Sequence, residues 1–326
     1  MDGVRWMDQG RFELGGTKFI AAGLRAVSPR EEGFVVDKRP ELVRKYVQLF
    51  AEECPRRIVE LGVERGGSTA LIALLAEPDL LLAVDIAPEI PARLAEFIER
   101  KGLTRSIVTA FGMDQSNATA VRDLVESHFA TQPVDLIIDD ASHVLGPTRA
   151  SFEVLFPRLR PGGLYVIEDW ATDCAVAAGL HDATETWASF DDRFKSVRAI
   201  CVQVMDKPLE RGVPADVVER ITEQMRRAWS SMTFITANSF IECLASVVHR
   251  EENFSVLAPL VRDRGPSRPL VDLAIELTMI CSLRPDVVSE VRLEPDWLTA
   301  RRGDGAVSPD DFSLSDSWAD YFGYLR

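Results

Sequence analysis

Residues 58–69 read Ile58-Val59-Glu60-Leu61-Gly62-Val63-Glu64-Arg65-Gly66-Gly67-Ser68-Thr69. An apolar run ends in an acid, a glycine cluster follows, and a helical pattern opens at Ser68. The stretch predicts a strand, a tight turn and a helix start, with Ser68 as N-cap. Glycines in such a turn permit positive φ and close approach of the backbone to a ligand. The spacing is not GxGxxG, because Val63 interrupts it. No Lys-Ser or Lys-Thr pair follows the glycines, so a phosphate-binding loop is not indicated either. Two readings stand at this point: a turn that only packs, or a cradle for a ligand other than a pyrophosphate.

The same unit recurs on either side. A helix with Leu42, Tyr46, Leu49 and Phe50 on one face begins after Pro40. Downstream, Leu80–Val84 closes on Asp85, Ala92–Arg100 is helical, Ile107–Phe111 is a strand, and Ala118–Phe129 is helical. Val134–Ile138 ends in Asp139 and Asp140, Thr148–Phe156 is helical, and Pro161-Gly162-Gly163 turns into Leu164–Ile167. Strands alternating with helices predict an α/β fold. The strands are continuous apolar runs, as expected of a mostly parallel sheet with helices on both faces. Such sheets bind ligands beyond the carboxyl ends of their strands. The side chains to watch are therefore Glu60, Asp85, Asp139, Asp140, Glu168 and Asp169.

This core spans residues 40–170, after a mixed, Gly-rich segment at 1–39. Residues 171–283 read as a largely helical insertion or lid; Trp170 just before it, with Trp187, Phe190 and Phe194 inside it, either cover an acceptor or simply pack. Residues 284–303 carry Val287–Leu293 and Trp297–Arg302 around Glu294-Pro295-Asp296, an antiparallel hairpin closing the sheet edge. An acidic, aromatic tail follows at 304–326.

Composition narrows the partners. The 326 residues carry 37 Lys and Arg against 51 Asp and Glu, a net charge of -14 that opposes nucleic-acid binding. The short basic pairs Arg56–Arg57, Arg226–Arg227 and Arg301–Arg302 read as solvated faces. No apolar run has the roughly 20 residues of a membrane span. The first residues lack the apolar stretch of a secretion signal, so a cytoplasmic location is expected. Five scattered cysteines without a CxxC pair suggest neither a zinc site nor a disulfide framework.

Glu60 and Asp85 end strands 25 positions apart. Asp85 is placed to accept from a ribose hydroxyl pair, as an acid does in dinucleotide folds. Two acids on adjacent strand ends suit a nucleoside that carries positive charge, and S-adenosylmethionine is such a ligand.

With these residues in place, the sequence resembles the class I S-adenosylmethionine-dependent methyltransferases. Glu60-Leu61-Gly62 with Gly66 resembles that family's first motif, and Asp85 its ribose acid. Two further segments are more specific: Ile138-Asp139-Asp140-Ala141-Ser142-His143, and Arg160-Pro161-Gly162-Gly163-Leu164-Tyr165-Val166-Ile167-Glu168-Asp169. With Phe152 and Leu155-Phe156 they resemble the metal-dependent macrocin- and mycinamicin-type sugar O-methyltransferases and the related cephalosporin hydroxylase-type proteins. Phe111-Gly112-Met113-Asp114-Gln115-Ser116 resembles that group's Gly-Asp-Gln-Ser stretch, with Met113 inserted. The resemblance implies a seven-stranded Rossmann-like sheet, S-adenosylmethionine as methyl donor, Mg²⁺ and a homo-oligomer. It places Glu60, Gly62, Gly66, Ser68, Asp85, Asp114, Gln115 and Asp139 at the donor. It makes Asp140, Glu168 and Asp169 the metal ligands, and His143 the general base with Asp140 beside it.

The chemistry agrees. Converging carboxylates need a cation, and hard oxygen ligands favour Mg²⁺, Ca²⁺ or Mn²⁺ over zinc. A neutral hydroxyl is a poor nucleophile, and imidazole titrates near working pH. The bland alternative for His143 is a hydrogen bond to the following helix. Asp139 reads equally as a structural neighbour of the ligands, and Ser116 or Asn117 as the cap of the next helix. The expected activity is O-methylation of a small natural product, most directly on a sugar hydroxyl of a glycosylated metabolite. A phenol or catechol acceptor, other chemistry at the same site, and a donor-binding protein without activity are the competing readings.

Overall fold

The computed structural model describes residues 3–22, 32–170, 270–294 and 296–314. The sequence expectations for 171–269 and for the tail from 315, including Trp187, Phe190 and Phe194, lie outside the described residues. Within those residues the chain divides into two compact units.

The first unit holds residues 1–142 and 158–163. It opens with a four-stranded sheet that the sequence reading gave no elements: β1 (Arg5–Trp6), β2 (Arg11–Leu14), β3 (Thr17–Ala21) and β4 (Phe34–Val36). β1, β2 and β3 run antiparallel, and β4 adds in parallel to β3. Its strands are too short for a clear period of two, yet alternate side chains stack. Phe12 and Phe19 lie 5.0 Å apart, Phe19 and Phe34 5.8 Å, and Phe34 meets Phe97 edge-on at 5.4 Å. Burying several phenyl rings, at roughly 2 kcal/mol or more each, ties this small sheet to the helix that carries Phe97.

The rest of that unit follows the expected alternation. In order it comprises α1 (Pro40–Glu53), β5 (Arg57–Leu61), α2 (Gly67–Ala76), β6 (Leu80–Asp85), α3 (Ala92–Arg100), β7 (Ile107–Phe111), α4 (Ala118–Phe129) and β8 (Val134–Asp139). α1 starts with a proline in its first turn, where the missing N–H costs nothing, and buries Leu42, Val43, Tyr46, Leu49 and Phe50. β5, β6 and β8 are apolar almost throughout and buried on both faces. β5 pairs in parallel with β6 on one side and with β8 on the other. Successive strands step one way from β5 to β6 and β7 and then the other way from β5 to β8, so the gap between β5 and β8 is the switch point where such folds open a crevice.

The second unit holds residues 143–157 and 164–326. It contains α5 (Leu145–Leu155), most of β9 (Leu159–Glu168), α6 (Val271–Leu283), β10 (Val288–Leu293) and β11 (Trp297–Arg302). β10 and β11 form the expected hairpin, and β11 runs antiparallel to β9 with Trp297 opposite Glu168. β9 begins five residues before the expected start at Leu164 and runs through Pro161-Gly162-Gly163. Arg149 on α5 pairs with Glu276 on α6 at 2.7 Å. The full sheet is seven-stranded, in the order β10-β11-β9-β8-β5-β6-β7, mostly parallel and flanked by helices.

One expectation is corrected here. Arg302 is not on a solvated face: it is buried and donates to the carbonyls of Gly303 and Gly305 at 2.8 and 2.6 Å. Those carbonyls follow the strand and have no ladder partner of their own to satisfy them. No helix among the described residues is long and apolar enough to cross a membrane.

Candidate active site

The loop after β5 shows the packing reading of its glycines. Gly62 has φ +90°, and a Cβ there would overlap the backbone carbonyl of Asp140. The main chains leaving β5 and β8 thus touch, and Asp140 N–H donates to the Leu61 carbonyl at 2.8 Å. Gly66, at φ +80°, would bring a Cβ to 2.7 Å from that of Leu94, and a Cβ on Gly67 would overlap the Val35 carbonyl. These two glycines serve packing inside the first unit. Ser68 is not the N-cap. The helix begins at Gly67, Gly66 holds the cap position without a side-chain bond, and Ser68 is already in the first turn.

Asp85 fixes that loop. Its Oδ2 accepts the N–H groups of Val63 and Glu64 at 2.7 and 2.9 Å, and Oδ1 accepts that of Ala87 at 2.7 Å. A carboxylate has about four acceptor directions, so three amides do not exhaust it. Ile86, the next residue, is 71% exposed and offers an apolar face beside the acid. The sequence reading had passed over it, although an aliphatic residue straight after a strand-end acid is a usable signal.

Glu60 is only 1% exposed and turns toward the start of α2, where the Thr69 hydroxyl donates to its Oε2 at 2.7 Å. Burial pushes its carboxyl up to about 7, against the opposing pull of the Ser68 and Thr69 hydroxyls and of Lys38. Its direct partners are thus hydroxyls of its own loop.

The stretch after β7 packs against the end of β8. Gln115 is buried, with Nε2 3.3 Å from Asp139 Oδ1, while its Oε1 accepts the Ser142 N–H at 3.0 Å. Asp139 is buried as the partner of Gln115. Asp114 accepts the Ser116 N–H at 2.8 Å, which holds its carboxyl below the usual range. Asn117, one of the two expected caps, closes α4 by accepting from Ala120 N–H at 3.1 Å.

Lys38 is the residue that sequence reasoning missed. Two positions past β4, its ammonium is 4% exposed, lies 2.7 Å from Asp140 Oδ2 and stands 5.2 Å from the centre of the Tyr46 ring. A lone lysine in a segment without a clear period gives no signal that it is buried.

Of the remaining site candidates, Glu168 ends β9 and is 1% exposed. A carboxylate buried so deeply is stable only with donors or a cation around it. Asp169 is exposed, and its N–H donates to the Asp296 carbonyl at 3.0 Å. His143 is half-buried. Backbone strain singles out the same loops. Among the described residues, six non-glycine residues have positive φ. Cys54, Glu77 and Ala130 close helices α1, α2 and α4. The other three are Glu64, His143 and Asp169, at φ 50°, 53° and 52°. Left-handed backbone costs a non-glycine residue on the order of 1–2 kcal/mol, and such residues cluster at functional sites. Asp140, Glu168 and Asp169 each offer carboxylate oxygens, the hard donors that Mg²⁺ or another hard divalent ion takes.

Comparison with known proteins gives the site its context. Residues 59–170 match the family model described as "Methyltransferase domain". The chain is 34% identical over 186 residues to 8-demethyl-8-alpha-L-rhamnosyl tetracenomycin-C 2'-O-methyltransferase of Streptomyces olivaceus, covering 54% of this chain and 44% of the relative. It is 48% identical over 123 residues to L-olivosyl-oleandolide 3-O-methyltransferase of Streptomyces antibioticus, covering 36% of this chain and 28% of the relative. The chain thus spans less than half the length of these curated relatives. Among solved structures, the MycE methyltransferase from the mycinamycin biosynthetic pathway, in complex with Mg and SAH, aligns over 87% of this chain and 53% of its own at 19% identity and a TM-score of 0.39. Residues 59–170, which run from β5 to the end of β9 in the seven-stranded sheet, thus resemble a methyltransferase domain.

Proposed function

We propose that the chain is an S-adenosylmethionine- and Mg²⁺-dependent O-methyltransferase whose acceptor is a sugar hydroxyl of a glycosylated small molecule. The observation that carries the donor half is Asp85, which pins the Val63–Glu64 turn beside the switch point between β5 and β8. The acceptor half is supported by the relatives, whose names specify methylation of rhamnosyl and olivosyl groups.

In this reading Asp85 accepts from the donor ribose, and Ile86 lies along the adenine. Gly62, whose missing Cβ leaves room for the Asp140 carbonyl, would meet the donor's amino-acid end through its main chain. Asp114, Gln115 and Asp139 shape the adenine side, and Glu60 and Ser68 hold the turn from below. Asp140, Glu168 and Asp169 would hold the ion. When bound, such a donor would supply an already activated methyl group, and such an ion would lower the pKa of an acceptor hydroxyl. His143 takes the hydroxyl proton at its imidazole nitrogen. The protein's contribution is then mostly placement and proton removal, which together account for large rate factors without a covalent intermediate. A homo-oligomeric state and a cytoplasmic location complete the reading.

The test is transfer of a labelled methyl group from S-adenosylmethionine to a panel of rhamnosylated, olivosylated and phenolic acceptors, with Mg²⁺ and with chelator. Label on the sugars, lost with chelator and restored by Mg²⁺, is expected. Label on phenols alone would reassign the acceptor. Transfer indifferent to chelation would remove the ion from the account.

A further inference from the structure

The loop after β7 is tied to the end of β6. Gly112 N–H donates to the Ala87 carbonyl at 2.6 Å, and Met113 N–H to the Asp85 carbonyl at 3.0 Å. Asp114 then closes a turn on itself. Its side chain accepts the Ser116 N–H at 2.8 Å, and its carbonyl accepts the Asn117 N–H at 3.0 Å. Gln115 sits inside this turn, on a main chain that is held on both sides. Its side chain is buried and reaches the segment after β8.

There one amide spans Asp140. Nε2 lies 3.3 and 3.4 Å from the two carboxylate oxygens of Asp139, the last residue of β8. Oε1 accepts the Ser142 N–H at 3.0 Å. The contacts to Asp139 are long, so the bond from Ser142 carries more of the hold. Only this orientation of the amide works, because turned over it would set oxygen against carboxylate and NH₂ against N–H. From the β5 side, the Leu61 carbonyl accepts the Asp140 N–H at 2.8 Å. Asp140 is thus gripped through its own main chain and through its neighbours at 139 and 142. Hydrogen bonds of this kind add only about 1 kcal/mol each to stability, but they fix direction, which an apolar side chain of the same size does not.

We infer that Gln115 is a positioning residue: by bridging Asp139 and Ser142 from a loop pinned to Asp85, it sets where the Asp140 carboxylate stands relative to the donor acid. This rests on the donor and ion reading proposed above, and adds to it a role for Gln115 beyond the adenine side.

The experiment is titration of the full chain with Mn²⁺, followed by electron paramagnetic resonance, and separately with S-adenosylhomocysteine, by calorimetry. Gln115→Met keeps the length and removes the amide. Its Mn²⁺ affinity should fall about tenfold or more, the usual worth of a residue that orients a metal ligand. Its affinity for S-adenosylhomocysteine without metal should fall no more than about threefold. If Gln115→Met does not fold, Gln115→Asn takes its place, since it keeps the polar groups but is one methylene too short to span both partners. A variant that loses donor affinity while keeping Mn²⁺ affinity overturns the inference, as does one that keeps both affinities or weakens both equally. A wild type that binds S-adenosylhomocysteine but no Mn²⁺ removes the ion reading and this inference with it. That outcome is distinct from a wild type that binds both ligands and a variant without the selective loss, which removes the inference alone.

Discussion

A Cβ at Gly67 would overlap the carbonyl oxygen of Val35, so the first residue of α2 and the middle of β4 are in backbone contact. The contact seats the N-terminal sheet on the loop that carries the candidate donor residues. Gly67→Ala must push the two main chains apart. It should cost about 2 kcal/mol or more, the range of overpacked sites. Thermal unfolding measures this, and a melting temperature equal to wild type would show that β4 yields freely.

The core of the fold was legible because its strands are buried on both faces. Leu80–Val84 is apolar throughout and Val134–Ile138 is interrupted only by Asp135, and each is followed by an acid that marks the carboxyl edge. The N-terminal sheet was not legible. Its strands are two to five residues long, and their pattern is broken by Gly15, Gly16 and charged side chains. Its stability comes from rings stacked across strands, a tertiary fact. In the site, Asp85 and Gln115 could be singled out by position, but their partners could not. Ser68 misled because a serine before an apolar run looks like a cap, whereas the helix had already begun at Gly67. Lys38 needed the fold to bring residues 38 and 140 together.

Asp85→Asn tests the loop and the ribose role together. The amide cannot accept two N–H groups on the atom that becomes its NH₂, so either Val63 and Glu64 or Ala87 loses a partner. Affinity for S-adenosylhomocysteine should fall about tenfold or more, as expected when a charged acceptor is lost. Unchanged affinity by calorimetry would release Asp85 from donor binding.

Glu60 carries a pH signature. Its carboxyl is raised from an ordinary 4.5 to about 7 in the folded chain, first of all by burial. Below about 4.5 the group is protonated in both states and costs nothing. Between 4.5 and 7 the unfolded chain loses its proton first, so this group lowers stability as pH rises, with a plateau above 7. Glu60→Gln, neutral throughout, should flatten that slope and add on the order of 1–3 kcal/mol at pH 8. Denaturant melts of both proteins from pH 4 to 8 measure this; parallel curves would contradict the raised value.

His143→Ala should lower turnover by roughly 10² or more, the usual worth of a positioned base, while donor affinity stays within about twofold. Alanine keeps a Cβ at this left-handed position, so the backbone strain of His143 stays, and a thermal melt beside the assay separates folding from turnover. Loss of donor binding with little change in turnover per bound donor would assign His143 to the donor instead.

The central claim is that Asp140, Glu168 and Asp169 together hold one divalent ion. Mn²⁺ titration followed by electron paramagnetic resonance, in the presence of S-adenosylhomocysteine, tests it most directly. The account predicts one ion per chain in the wild type and at least about tenfold weaker binding in each of Asp140→Asn, Glu168→Gln and Asp169→Asn. Equal Mn²⁺ affinity in the wild type and the three variants would contradict it.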